Sequence, residues 1–194
     1  MPSPSAEPAL EPADLGLLFD IADASIANGL QGRPPRLPDV AALPEPLRRK
    51  QHAFVTLTVD GALNGCIGDI EGDEPLARAV AHHAWAAAFT DPRLPPLRPE
   101  EYERLLVEIS LLSDMVPVAA ASRDELLAVL RPHIDGLVVS ALGRRALFLP
   151  AVWEQLPDAA EFLRHLKTKA GLGAAHWSDG FKASRFTATE YHEA

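Results

Sequence analysis

The chain has 194 residues, 47% hydrophobic and 23% charged, the proportions of an ordinary globular protein long enough to bury a substantial core. Its 18 Lys and Arg against 27 Asp and Glu give a formal charge of -9, which opposes non-specific attraction to nucleic acid and to anionic lipid, so neither is expected as a partner. No apolar run approaches the roughly 18 residues that cross a bilayer. The start MPSPSAEPALEPADL has neither the basic opening nor the apolar stretch of a secretory signal, and a cytoplasmic location away from membranes is the expectation. The single cysteine, Cys66, excludes an intrachain disulfide and a multi-cysteine metal site.

Residues 1–12 are rich in Pro, Ser, Ala and Glu and read as a disordered tail, leaving 13–192 as one domain with room for two lobes. From Asp14 the spacing of Leu15, Leu18, Phe19, Ala22 and Ile26 predicts a helix that stops at Asn28-Gly29. Pro34, Pro35, Pro38, Pro44 and Pro46 then hold a covering loop. Residues 54–59 alternate as a strand, Asp60-Gly61 supply the positive φ angles of a two-residue turn, and 62–67 return. With that turn, Val59 faces Ala62, Leu57 faces Asn64 and Val55 faces Cys66, which puts the thiol on the more aliphatic side of the ribbon.

Pro75 opens a helix whose apolar stripe is Leu76, Ala79, Val80, His83, Ala87 and Ala88, ended by Asp91-Pro92-Arg93-Leu94-Pro95-Pro96. Residues 105–112 read as a strand with Leu105, Val107, Ile109 and Leu111 on one face and Leu106, Glu108, Ser110 and Leu112 on the other. A capping box from Ser122 to Glu125 starts a short helix, and 137–141 with 146–149 flank Gly143-Arg144 as a hairpin. Asp158 caps a helix running to Ala170 and stopped near Gly171 and Gly173, and 182–187 can close the sheet. Hairpins mixed with helices, without regular βαβ alternation, predict an α+β fold built on mainly antiparallel sheet.

The ordered blocks FVTLTVDGALNGCIG, PLARAVAHHAWAAAFTDPRLPPL, VEISLL, GLVVSALGRRALFLPAVW and FLRHLKTKAGL resemble the successive blocks of the AMMECR domain family, over roughly residues 50–187. The resemblance implies an AMMECR-like domain. Through its similarity to system protein A of the AmmeMemoRadiSam set, it also implies a Memo-like protein and a radical-SAM enzyme as partners. Two departures from the family pattern stand out. Leu63-Asn64-Gly65-Cys66-Ile67-Gly68 has a neutral amide where the family usually carries arginine, and Leu166-Lys167-Thr168 precedes Lys169-Ala170-Gly171-Leu172 where a cysteine is often seen.

Two functional readings stand side by side. Cys66 lies between Gly65 and Ile67 with Gly68 beyond, so a ligand can approach the backbone closely and nearby amides can stabilise an oxyanion. A nucleophilic thiol also needs a histidine, a cation or a helix N-terminus beside it, and His82, His83 and the helix start near Pro75 are the candidates. Glu108 can act as acid/base or hold an amine, with Ser110 on its face. Asp91 and Arg93 can meet a ligand or pair with each other, and Lys169 can do the former or complement a helix dipole. In the first reading the chain is a module that binds a small molecule or a partner through Asn64, Gly65, Gly68, Ser110, Asp91, Arg93 and Lys169, and Cys66 packs. In the second it is an enzyme with Cys66 as nucleophile and Glu108 as acid/base. Histidine spacing for a metal, a phosphate loop and a nucleophile elbow are all missing, so neither metal nor cofactor is expected.

Overall fold

The computed structural model describes residues 10–193, which fall into two compact units, 10–112 with 189–193 and 113–188. Most of the segment read as a tail lies outside the described residues, and Pro12 already opens the first helix. The α+β class holds, with two antiparallel sheets of four strands each.

The first unit contains α1 (Pro12–Leu30), the short α2 (Glu45–Arg48) and α3 (Leu76–Phe89). Its sheet is made of β1 (Ala53–Val59), β2 (Ala62–Gly68), β3 (Leu105–Leu112) and β8 (Ala188–His192), in the order β2-β1-β3-β8. Helix α1 buries Leu18, Phe19, Ala22 and Ile26 along one stripe, as its spacing predicts, and α3 buries its alanine-rich face. Both helices share a core with Ala53, Val55 and Leu57 of β1 and Val107, Ile109 and Leu111 of β3. Each large side chain of that core contributes about 1.5–3 kcal/mol by leaving water.

The β1–β2 turn is the predicted one, with Asp60 at φ 52° and Gly61 at φ 78°. The register beyond it is not. Val59 pairs with Ala62 and Thr58 with Leu63, but then the ladder shifts, so that Leu57 pairs with Gly65, Thr56 with Cys66 and Val55 with Ile67. Asn64 is the extra residue of a β-bulge. Because side chains alternate along a strand, that one residue moves Cys66 from the aliphatic Val55 side, where regular pairing placed it, to the Thr56 side.

The second unit contains β4 (Val116–Val118), α4 (Arg123–Val129), β5 (Gly136–Ala141), β6 (Arg144–Phe148), α5 (Ala159–Lys169) and β7 (Lys182–Phe186), with sheet order β4-β7-β5-β6. Its core gathers Leu126, Leu137, Val139, Trp153, Phe162 and Leu166, and Trp153 stacks on Phe162 at 3.8 Å between centroids. The predicted caps form: the Ser122 and Asp158 side chains accept from the backbone N–H groups of Glu125 and Glu161. The β5–β6 turn sits one residue earlier than predicted, on Leu142 and Gly143, because Arg144 already pairs with Ala141. Strand β8 was not foreseen. The chain leaves the second sheet after Phe186 and continues from Ala188 beside β3.

Gly65 and Gly16 test this packing in opposite directions. A Cβ on Gly65 would overlap the Ala87 backbone of α3, whereas one on Gly16, in the interior of α1, would meet nothing within 4 Å. Gly65→Ala is expected to destabilise by about 1–3 kcal/mol and Gly16→Ala to stabilise by about 0.5–1 kcal/mol, both read by urea unfolding. A Gly65→Ala protein as stable as the parent would contradict the contact between β2 and α3.

Candidate functional site

Cys66 sits on the edge strand of the first sheet, and its peptide groups are held from outside that edge. Its N–H donates to Asp91 Oδ2 at 3.0 Å, and its carbonyl accepts from Arg93 Nη2 at 2.8 Å. Asp91 and Arg93 are themselves joined: Arg93 Nη2 donates to Asp91 Oδ2 at 2.6 Å, and Arg93 Nε and its backbone N–H donate to Oδ1 at 2.9 and 3.1 Å. The proline-stiffened turn after α3 thus closes a ring over one peptide of β2. Since both polar groups of Cys66 point away from β1, Cys66 and Thr56 form a non-hydrogen-bonded pair, the kind in which side chains approach most closely. The Thr56 hydroxyl accordingly donates to Cys66 Sγ at 3.3 Å.

The same row continues across the sheet. Thr56 pairs with Glu108 on β3, and His192 of β8 brings Nδ1 to 3.6 Å from a Glu108 carboxylate oxygen. Ser110 donates to Glu108 at 3.4 Å. Burial, followed by the charge of Glu190, pushes the Glu108 carboxyl above the usual carboxylate range, against the opposing pull of His192 and Ser110. Asp91 goes the other way: the Arg93 side chain above all, then the amide donors of Cys66 and Arg93, hold it well below that range despite its burial. Arg93 is held charged chiefly by Asp91, with a further contribution from the Cys66 side chain. The thiol therefore has a guanidinium near it. One step along the face, Leu63 and Leu106 flank Thr58 and are 48% and 59% exposed.

A model of the AMMECR1 family matches residues 19–191. The chain belongs to the AMMECR1 family. It is similar to a protein of Methanothermobacter thermautotrophicus, 38% identical over 179 residues that cover 91% of this chain and 92% of the relative. A protein of Thermotoga maritima is 38% identical over 156 residues, covering 79% and 84%. The crystal structure of an uncharacterized protein from Pyrococcus horikoshii superposes with a TM-score of 0.85 at 30% identity, over 95% of this chain and 93% of that one.

Within this AMMECR1 domain the residues singled out from sequence fall into five settings. Cys66, Glu108 and Ser110 share one face of the first sheet, with Thr56 interposed. Asp91 and Arg93 stand at its edge, and the Asp91 side chain is 1% exposed. Gly65 and Gly68 are filled positions rather than open ones: a side chain at Gly65 would strike the α3 backbone, and one at Gly68 the Phe54 ring and the Ala53 carbonyl. Asn64 is buried at the bulge, and its Oδ1 has no hydrogen-bond partner among the described residues. Lys169 belongs to the second unit, where it donates to the Leu147 carbonyl at 3.1 Å and lies over the Phe148 ring. Of the nearby amides expected to stabilise an oxyanion, that of Cys66 itself is already taken by Asp91. The histidines named as activators face other partners: His82 Nδ1 contacts Glu74 at 2.7 Å and His83 Nε2 faces Asp69 Oδ2 at 3.3 Å. Sequence reasoning missed Thr56, whose role depends on the bulge, and His192, on the unforeseen strand.

Two variants test these electrostatics. Asp91→Asn removes a buried charged acceptor and is expected to cost about 2 kcal/mol at pH 7. A carboxylate whose folded pKa is depressed stabilises above its unfolded value of about 3.9 and loses that contribution only as pH falls through the folded value, so the deficit should persist to about pH 4 and close in stronger acid. Glu108→Gln should do the reverse. A carboxyl whose pKa is raised on folding stabilises fully below its unfolded value and loses that contribution as pH rises through the folded one. The variant should therefore have the higher Tm at pH 7 and no advantage below about pH 4. Parallel pH–stability curves for parent and variant would contradict either assignment.

Proposed function

We propose that this AMMECR1-family protein is a binding module whose Cys66–Thr56–Glu108 face receives a small molecule or a modified side chain. In this reading it acts with a Memo-like protein and a radical-SAM enzyme in a modification pathway. The observation that carries the binding role is how the groups around the thiol are already engaged. The amide of Cys66 is bound by Asp91 and its carbonyl by Arg93, and among the described residues no imidazole or carboxylate hydrogen-bonds the sulfur. Attack on an acyl carbon would need a free oxyanion donor and a base at those places. Glu108, half-buried beside Ser110 and His192, suits an amine on the ligand, and exposed Leu63 and Leu106 give a partner apolar surface beside it. The partners and the pathway rest on the family resemblance.

One observation favours a second reading. The Arg93 guanidinium donates to the Cys66 carbonyl at 2.8 Å, beside a thiol that is only half-buried, and in this reading Cys66 is a nucleophile with Glu108 as acid/base. Co-purification with the Memo-like and radical-SAM proteins of the same organism separates the two. The binding role expects capture by the parent, at least about tenfold weaker capture by Leu106→Asp and undiminished capture by Cys66→Ser. Equal capture by Leu106→Asp would sink it. A stoichiometric mass adduct on Cys66 after incubation with the partners would establish the nucleophile instead.

A further inference from the structure

The second unit carries a half-open pocket of about 240 Å³ between α5, the start of α4 and residues 174–175. Its polar lining is Arg123, Glu161, Arg164 and Lys167. Glu161 is already engaged, because Arg164 Nε donates to both of its oxygens at 3.1 Å. That leaves Arg123 and Lys167 as two cationic groups in excess, in a chain whose net charge is -9.

Lys167 is the unusual member of the set. It is 1% exposed, yet among the described residues it has no hydrogen-bond or ion-pair acceptor, and its ammonium lies 5.9 Å from the centre of the Phe181 ring. A buried ammonium without an anion is costly, and proteins almost always pair one. Burial and then the like charge of Arg123 both lower its pKa, the signature of a cation lacking its counter-charge. Lys167 stands on the last turn of α5, one turn from Leu163, which also lines the pocket, while Phe162 and Leu166 of the same helix enter the core. Trp177 stacks on Phe181 at 4.5 Å and donates to the Ala121 carbonyl, two residues before Arg123. At roughly 30 Å³ per water the space holds about eight waters, enough for a phosphate or a small carboxylic acid.

We infer that this cavity is a binding site for a small oxyanion, a phosphate or carboxylate group, with Lys167 as the buried contact and Arg123 as the second. Arg164 stays on Glu161 and borders the opening. The site is built from residues of the second unit alone and does not depend on the function proposed for the Cys66 face.

Thermal unfolding of the full chain in inorganic phosphate, in citrate and in chloride at matched ionic strength tests it. A saturable rise in Tm with phosphate or citrate above the chloride control is expected, since a ligand that binds only the folded state stabilises it. Phosphate alone acting points to a phosphorylated ligand, and citrate alone to a carboxylic acid. Lys167→Met keeps the volume, removes the charge and should abolish the anion-dependent rise, while its Tm in chloride equals or exceeds the parent's. Arg123→Gln, at an exposed position, should raise the half-saturating concentration by about tenfold. It decides the matter if Lys167→Met fails to fold. No rise above chloride for either anion, the same rise in Lys167→Met as in the parent, or an unchanged half-saturation in Arg123→Gln would each overturn the proposal.

Discussion

Alternation of side chains along a strand allows one inserted residue to decide which face of a sheet carries a reactive group, and Asn64 is that residue here. The bulge alone would leave the edge strand with unpaired peptide groups beside a flexible glycine. The Asp91–Arg93 pair removes that freedom by taking the N–H and the carbonyl of Cys66 together. An edge strand so covered is also a poor template for pairing with another chain. Everything at the candidate site follows from this arrangement. Gly65 turns toward α3 and lets the helix approach the sheet, Cys66 turns toward Thr56, and Thr56 stands between the thiol and Glu108.

The elements themselves were legible from local patterns. Asp60-Gly61 specified the hairpin, the stripe from Leu76 to Ala88 specified α3, and strict alternation over 105–112 placed Glu108 and Ser110 on one face. Ser122 and Asp158 marked their helices because capping is a contact between residues close in sequence. What escaped was set by contacts between distant residues. A bulge has no period of its own in Leu63-Asn64-Gly65-Cys66, and only the packing of Gly65 on Ala87 requires it. That Asp91 and Arg93 pair could be weighed from their spacing, but the peptide they hold lies 25 residues away for Asp91. Strand β8 is short and mostly exposed, so its residues carry no apolar signal beyond Tyr191.

Family membership and chemistry separate cleanly in this protein. The ordered blocks that resemble AMMECR domains coincide with the core elements, and the match over residues 19–191 reflects that framework. Asn64 is buried at the bulge, its Oδ1 without a hydrogen-bond partner among the described residues, while Arg93 brings a guanidinium to the Cys66 carbonyl from another element. The two units also differ in character. The first carries a thiol and a carboxylate on one strand face, and the second sets three cations and one carboxylate around a pocket.

The register of β2 is the claim on which the site stands, and a cross-strand disulfide reads it directly. In Thr56→Cys the new thiol would lie opposite Cys66 in a non-hydrogen-bonded pair, within the Cα separation of roughly 4.4–6.8 Å that a disulfide spans. Mild oxidation followed by intact-mass and peptide analysis should find an intrachain Cys66 disulfide in Thr56→Cys, and both thiols still free in Val55→Cys, whose side chain points into the helix-facing core. A disulfide in Val55→Cys with none in Thr56→Cys would restore the unbulged pairing and contradict the site as described.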